Sequence, residues 1–358
     1  MNYIRLALSA LLFFTFCAIS AQNKSSVIKG KVTDGETGEA LAGASVYFAE
    51  TTIGTTASIN GSFRLETSKP GNYELIVSMV GYSVKKENIT IEAGGEYNFN
   101  IKLMQKPLDV KTVEVEGEDR SEWRNNLKIF TRKFLGTLEA ADKCEIENKE
   151  LINFKMSGDT LIAWAEKPVA VINRFLGYKV ICEIVMYKYN PVTSYQEYSI
   201  FSRFEELTPK DKDEAEDWQD NREEAFMGSP VHFLWALRNN RLPDENFLVH
   251  IAPSTDQRSQ APLRQVKTWQ DIMYGQQFMS DPVISFDAFL RIRYNNMQLS
   301  FVKSRFAMFT IDAYGIADNH LPFVCYGYWA NLGVSNMLPR GWMPEKYHKR
   351  IESGLHAK

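Results

Sequence analysis

The sequence predicts an all-β sandwich at the N-terminal end, followed by an α+β domain. Three observations predict it. Residues 27–103 hold seven short runs rich in β-branched and aromatic residues, separated by Asp, Asn, Gly and Pro turns and without helical spacing. Residues 121–135 change abruptly to the spacing of an amphipathic helix. Beyond residue 151 strand-like and helix-like stretches alternate without the regular βαβ order of a parallel sheet. Hydrophobic residues make up 44% and charged residues 24%, so the chain has the means to bury a core and is not a disordered polymer.

Residues 1–21, MNYIRLALSALLFFTFCAISA, have the three parts of an export signal. Arg5 supplies the positive start, and Leu6 to Phe16 is an apolar run too short to span a bilayer. Ile19-Ser20-Ala21 precedes Gln22, which places cleavage after Ala21. Cys17 raises the alternative of lipid attachment, but Phe14-Thr15-Phe16 is bulky where such a site wants small residues. Removing the signal takes away one Arg and no acid, leaving 40 basic residues against 44 acidic. That balance gives no electrostatic footprint for nucleic acid. No later stretch is long and apolar enough to be a transmembrane span. The expected location is the periplasm or the outer membrane.

Val27–Thr33 reads as the first strand, ended by the polar turn DGETGE. Ala44–Phe48 is the second, with Val46 and Phe48 on one face. Thr51–Ser58 follows, and Asn60-Gly61 signals a two-residue hairpin in which both central residues take positive φ. Ser62–Glu66, Tyr73–Val80, Val84–Ile91 and Tyr97–Leu103 complete the set around turns at Pro70-Gly71, Gly81 and Gly94-Gly95. Alternation predicts an inward set of Val32, Val46, Phe48, Phe63, Leu65 and Leu75, continued by Val77, Ile89, Ile91, Phe99 and Ile101.

GKVTDGETGEALAGASVYFAETTIGTTASINGSFRL followed by YELIVSMVGY resembles the carboxypeptidase regulatory-like domain, a transthyretin-like (prealbumin-like) sandwich. The resemblance covers about 75 residues and implies residues 22–104 as that domain. It further implies an exported Bacteroidetes-type protein, because the domain stands at the start of many such proteins, including outer-membrane nutrient receptors. It implies no peptidase chemistry. A zinc carboxypeptidase needs a His-x-x-Glu pair and a distant His, and none of His232, His250, His320, His348 and His356 is followed by that spacing. Nor does the chain fit such a receptor: about 240 residues remain, too few for ~22 membrane strands.

Residues 105–120 read as a linker, and residues 121–358 as the α+β domain, for which the sequence names no chemistry. Trp123, Leu127, Phe130 and Phe134 fall on one face of a helix that should cover a sheet. INFKM, DTLIAWAE, YKVICEIVMYKY and YQEYSIFSRF supply that sheet's strands. Pro209–Asn240 is helical, split at Gly228, with Ser229 as a cap and Pro230 at the first position of the second helix. Asp211, Asp213 and Asp217 lack the spacing of a calcium loop and read as a solvated face. His232 reads as a core histidine, and Ser229 is outside a Gly-x-Ser-x-Gly elbow. Phe247–Ile251, Phe286–Tyr294, Met297–Val302 and Phe306–Ile311 are further strands, with a hairpin at Asn295-Asn296. DRSEWRNNLKIFTRKFLG, NREEAFMGSPVHFLWAL and GYWANLGVSNMLP together resemble the tail behind the regulatory-like domain in other exported Bacteroidetes proteins, which implies no activity.

Neither cofactor nor metal is expected. Tyr326, Tyr328, Trp329 and Trp342 are candidate ligand contacts, since aromatic faces with polar rims suit sugar rings; packing onto the sheet is the alternative. Cys144–Cys182 is the candidate disulfide, with free thiols as the alternative. The leading expectation is a non-enzymatic accessory protein whose sandwich docks or presents the second domain to another envelope protein. A glycan- or peptide-binding module and a hydrolase with an unrecognised site are the other two.

Overall fold

The computed structural model describes residues 25–106, 120–193, 195–256, 263–273, 281–318 and 322–356. The export signal and 107–119 of the linker lie outside the described residues.

The sandwich follows the predicted strands closely: β1 (Ser26–Asp34), β2 (Ser45–Phe48), β3 (Gly54–Thr56), β4 (Ser62–Thr67), β5 (Gly71–Ser78), β6 (Lys85–Ile91) and β7 (Glu96–Leu103). They form a three-stranded sheet, β4-β1-β7, and a four-stranded sheet, β3-β2-β5-β6. One core joins the two, with Ile28, Val46, Phe63, Leu75, Ile91 and Ile101 buried and Phe99 packed at its edge. Each such side chain contributes about 1.5–3 kcal/mol. The Asn60-Gly61 turn differs from its expectation. It carries the chain between sheets, and among its two central residues Gly61 alone has positive φ, at 78°. The reason is contact with β1: the Val32 N–H donates to the Gly61 carbonyl at 2.8 Å, and a Cβ on Gly61 would lie 2.4 Å from the Val32 oxygen. Asp34 pins the preceding turn by accepting from the Thr37 and Glu36 amides and from Tyr82 and Gln105.

The second region begins with α1 (Arg120–Phe134), then β8 (Cys144–Ile146), β9 (Ile152–Ser157), β10 (Thr160–Ala165), β11 (Val169–Asn173), β12 (Tyr178–Asn190) and β13 (Tyr195–Glu206). These strands make a six-stranded sheet in which β12 and β13 are the longest pair, with β13 at an edge. Phe130 and Phe134 of α1 are buried against it, as the helical spacing predicts. α2 (Lys212–Phe226) is capped by Asp211, and α3 (Pro230–Arg238) by Ser229 with Pro230 first. Next come β14 (Phe247–Ala252), β15 (Arg264–Val266), β16 (Val283–Ile284), β17 (Phe289–Tyr294), β18 (Gln298–Ser304), β19 (Phe309–Thr310), β20 (Phe323–Gly327) and α4 (Glu345–His356). A five-stranded sheet, β15-β14-β17-β18-β20, packs with α3 and α4 around a second core. At the β17–β18 hairpin both Asn295 and Asn296 take positive φ, 48° and 57°, the two-residue turn expected there. The strand expected over Phe306–Ile311 shrinks to β19, since Ser304 bonds back to Phe306 and turns the chain.

The sandwich is built into the second region. The loop after β2 joins the free edge of β13: the Glu50 N–H donates to the Ser202 carbonyl at 2.7 Å, and the Phe204 N–H to Thr51 at 2.9 Å. Glu50 takes a left-handed φ of 58° to do so. Tyr47, Ala49 and Ile76 pack on Phe201, and the Ser78 hydroxyl donates to Glu183 Oε1 at 2.6 Å. Arg340 closes the junction, its N–H on the Glu50 carbonyl and its guanidinium on the Ala317 carbonyl.

Candidate ligand cavity

The candidate site arises where the β12–β13 face meets the segment that leads from β20 into α4. Gln196, Tyr198, Ile200 and Ser202 fall on one face of β13 by the period of two. Opposite them on β12, Cys182 and Ile184 share that face, but a bulge between Ile184 and Met186 then shifts the register. The extra residue brings Tyr187, not Met186, opposite Tyr198. The two rings stack with centroids 6.5 Å apart.

This face lines a cavity of about 370 Å³, within the range of small-molecule sites. Its other walls come from Phe134 at the end of α1, from Phe226, Val231 and Leu234 near the α2–α3 junction, and from Cys325, Trp329, Leu332 and Met337. Glu50 of the sandwich stands in the lining, with Lys133, Arg305 and Arg340.

An unsatisfied group is sealed within the wall of the cavity. Tyr187 is 1% exposed, and its hydroxyl has no hydrogen-bond partner. An unpaired buried hydroxyl costs about 1–3 kcal/mol, and native structures carry few of them. Burial, with Tyr189 and Tyr198 nearby, holds the Tyr187 phenol well above its ordinary value, so it is a neutral donor. Burial likewise raises Tyr198. Burial pushes the Cys182 and Cys325 thiols up to about 12 each, which leaves them protonated and poorly nucleophilic at neutral pH.

The segment forming the far wall is fixed by backbone contact. Asn173 donates from Nδ2 to the Ser335 carbonyl at 2.9 Å and accepts from the Phe175 and Leu176 amides. Gly136 and Gly333 cross at the closest approach, where a Cβ on Gly333 would lie 2.3 Å from the Gly136 nitrogen.

The sequence-predicted aromatic residues divide. Trp329 is 4% exposed and its indole N–H donates to the Gly228 carbonyl at 2.8 Å, so it is a cavity wall and a core residue rather than an open platform. Trp342 also lines the cavity and meets Phe226 at 6.3 Å between ring centroids. Tyr328 packs against the second core. Tyr326 is exposed on β20 with its ring beside Phe289. The four do not share one face.

The candidate disulfide is corrected: Cys144 and Cys182 are free thiols. Cys144 of β8 stands opposite Asn173 of β11, which stands opposite Tyr178 of β12. Cys182 is therefore two strands away and four residues further along, a displacement of about 13 Å on that axis alone. A disulfide spans at most ~7 Å between Cα atoms.

His232 belongs to a second polar cluster. The Gly228 N–H donates to its Nδ1 at 3.0 Å, so the proton of the neutral ring sits on Nε2, facing Glu245 Oε2 at 3.2 Å. Tyr347 donates to the same oxygen at 2.8 Å, and Arg350 to Oε1 at 2.7 Å. Burial alone would raise Glu245, but the bonds from His232, Tyr347 and Arg350 outweigh it and bring the carboxyl down to about 2. Burial lowers His232, which is fully enclosed. This cluster ties α3 and α4 to the approach to β14, and its groups are engaged with one another. Among the described residues no group of three His, Cys, Asp or Glu is placed to hold a metal.

Tyr187, Tyr198 and Ile200 were not singled out by the sequence reading. The signal available was the break of alternation at Val185-Met186 inside an otherwise regular strand.

Residues 28–115 match the family model of the CarboxypepD_reg-like domain, a regulatory and non-catalytic fold. No curated protein matches the chain. Among solved structures, it is similar to a type II cohesin–X-dockerin complex of Acetivibrio cellulolyticus at 17% identity and TM-score 0.20, over 22% of this chain and 58% of that one. It is similar to 3-chlorocatechol 1,2-dioxygenase of Rhodococcus opacus at 12% identity and TM-score 0.19, over 23% of this chain and 61% of that one. The group B streptococcus pilus 2b backbone protein gives 16% identity and TM-score 0.20, over 23% and 41%. The match thus spans less than two thirds of each of these structures, and at such TM-scores the likeness bears on no function.

Proposed function

We propose that this chain is a non-enzymatic exported protein of the periplasm or outer membrane. In this reading the regulatory-like sandwich is a docking module fixed to a binding module, and the cavity of the second region takes a small, mostly apolar molecule. The observation that carries the binding role is a cavity of about 370 Å³ lined mostly by apolar side chains. The sequence of residues 1–21 supports export. The pairing of the Glu50 loop with β13 supports a sandwich that acts as a fixed wall and leaves its outer surface for another envelope protein.

Calorimetric titration of the full chain with dodecanol, below its solubility limit, tests the binding role. One molecule should bind per chain. Binding should be lost on Ile200→Trp, which fills the cavity from β13, and on Val231→Trp, which fills it from the half-exposed first turn of α3. The second variant keeps the test decisive if the first misfolds. No heat with the native chain, or undiminished heat with both folded variants, would overturn the reading.

A further inference from the structure

The cavity wall has two unlike parts. In one, Tyr187 and Tyr198 stack, and Gln196 lies beside Tyr198 by two residues along β13. Lys133 sits over the ring of Tyr189, two residues along β12 from Tyr187, at 5.2 Å. Arg305 is close enough to Tyr198 for its charge to act on that phenol. Phe226, Leu234, Trp329 and Trp342 make an apolar part of the wall.

The charges of the lining are unequal. Lys133, Arg305 and Arg340 face one carboxylate, that of Glu50, which also acts on Tyr198. Arg340 is engaged with backbone carbonyls of Asn72 and Ala317. Lys133 and Arg305 form no ion pair among the described residues, where most other lysines and arginines near carboxylates do. Two cations without a carboxylate partner among the described residues, in the lining of an apolar cavity, are the complement of an anionic head on an apolar body.

We propose that the ligand is a free single-chain amphiphile with a carboxylate head, its head held by Lys133 and Arg305 and its chain lying toward Trp329. This deepens the binding role above and rests on it. A volume of about 370 Å³ suits one chain of moderate length and excludes a two-chain lipid held whole. The head is recognised by charge, and the chain by burial alone. Specificity therefore lies in the head: a neutral analogue of the same length should enter but bind more weakly.

Dodecanoate and dodecanol form the matched pair, titrated into the full chain below micelle formation. Dodecanoate should bind about tenfold more tightly or better. In the Lys133→Gln, Arg305→Gln double variant the two should bind alike, with the alcohol's affinity unchanged. Both residues keep solvent exposure, so their loss leaves the core intact. Equal affinity for the two in the native chain would overturn the carboxylate assignment while leaving a neutral apolar ligand in place. An advantage for dodecanoate that survives the double substitution would also overturn it. Binding of neither would overturn the binding role itself.

Discussion

Tyr187→Phe tests whether the sealed hydroxyl is without a partner. Deleting a hydrogen-bonded buried hydroxyl ordinarily destabilises a protein by about 1 kcal/mol. Tyr187 is 1% exposed and its oxygen has no partner, so the change removes a desolvated donor and breaks no bond. The ring stays, with its stacking on Tyr198 at 6.5 Å and its edge contact with Phe130 at 5.1 Å. Without ligand the variant should therefore be as stable as the native chain or more so, by up to about 1–2 kcal/mol. With dodecanoate the order should stay the same, because the hydroxyl has no surface through which a ligand could reach it. Affinity should change by less than about twofold. Urea denaturation of both proteins, with and without dodecanoate, reads all four states. A variant less stable than the native chain in the absence of ligand would show that the hydroxyl is already satisfied, and the reasoning from its isolation would fail.

Other perturbations test the surrounding account. Glu245 has a folded value of about 2 against an ordinary 4.5, so its stabilising effect is complete above pH 4.5 and is lost as pH falls toward 2. Glu245→Gln should flatten that part of the stability–pH curve, measured by urea midpoint; an unchanged slope would refute it. Burial raises Asp312 to about 6 from 3.8, so its ionisation should lower stability as pH rises across that interval. Asp312→Asn keeps an oxygen for the Tyr314 and Ile316 amides and should remove that loss, giving a higher melting temperature at neutral pH. Gly333→Ala places a Cβ 2.3 Å from the backbone nitrogen of Gly136, and should cost about 2–3 kcal/mol or prevent folding. A melting temperature equal to that of the native chain would refute the crossing.

The sandwich was readable in the sequence because each strand ends in a turn whose residues have local reasons to be there. Asp34 pins its own turn, and the period of two sets the inward residues. The helix cap at Ser229 was readable for the same reason, whereas Asp211, expected on a solvated face, is the cap of α2. Where the reading went astray, distant contact decided. Asn60-Gly61 has the composition of a hairpin, but Val32 bonds to Gly61 and turns the chain between sheets. Val169–Asn173 is buried on both faces and so shows no alternation to find. The final helix α4 is held by Tyr347, whose partners Glu245 and His232 lie more than a hundred residues earlier. The cavity was the least legible feature. It depends on a bulge that selects Tyr187 over its neighbour and on a glycine crossing that sets the opposite wall, and neither leaves a motif.

The most direct test is to locate a ligand. A crystal of the protein grown with ω-bromododecanoate should show anomalous bromine density near Trp329 and Trp342, with the carboxylate within hydrogen-bond reach of Lys133 or Arg305. Bromine found only at the surface, or nowhere, with the cavity accessible and empty, would contradict the account.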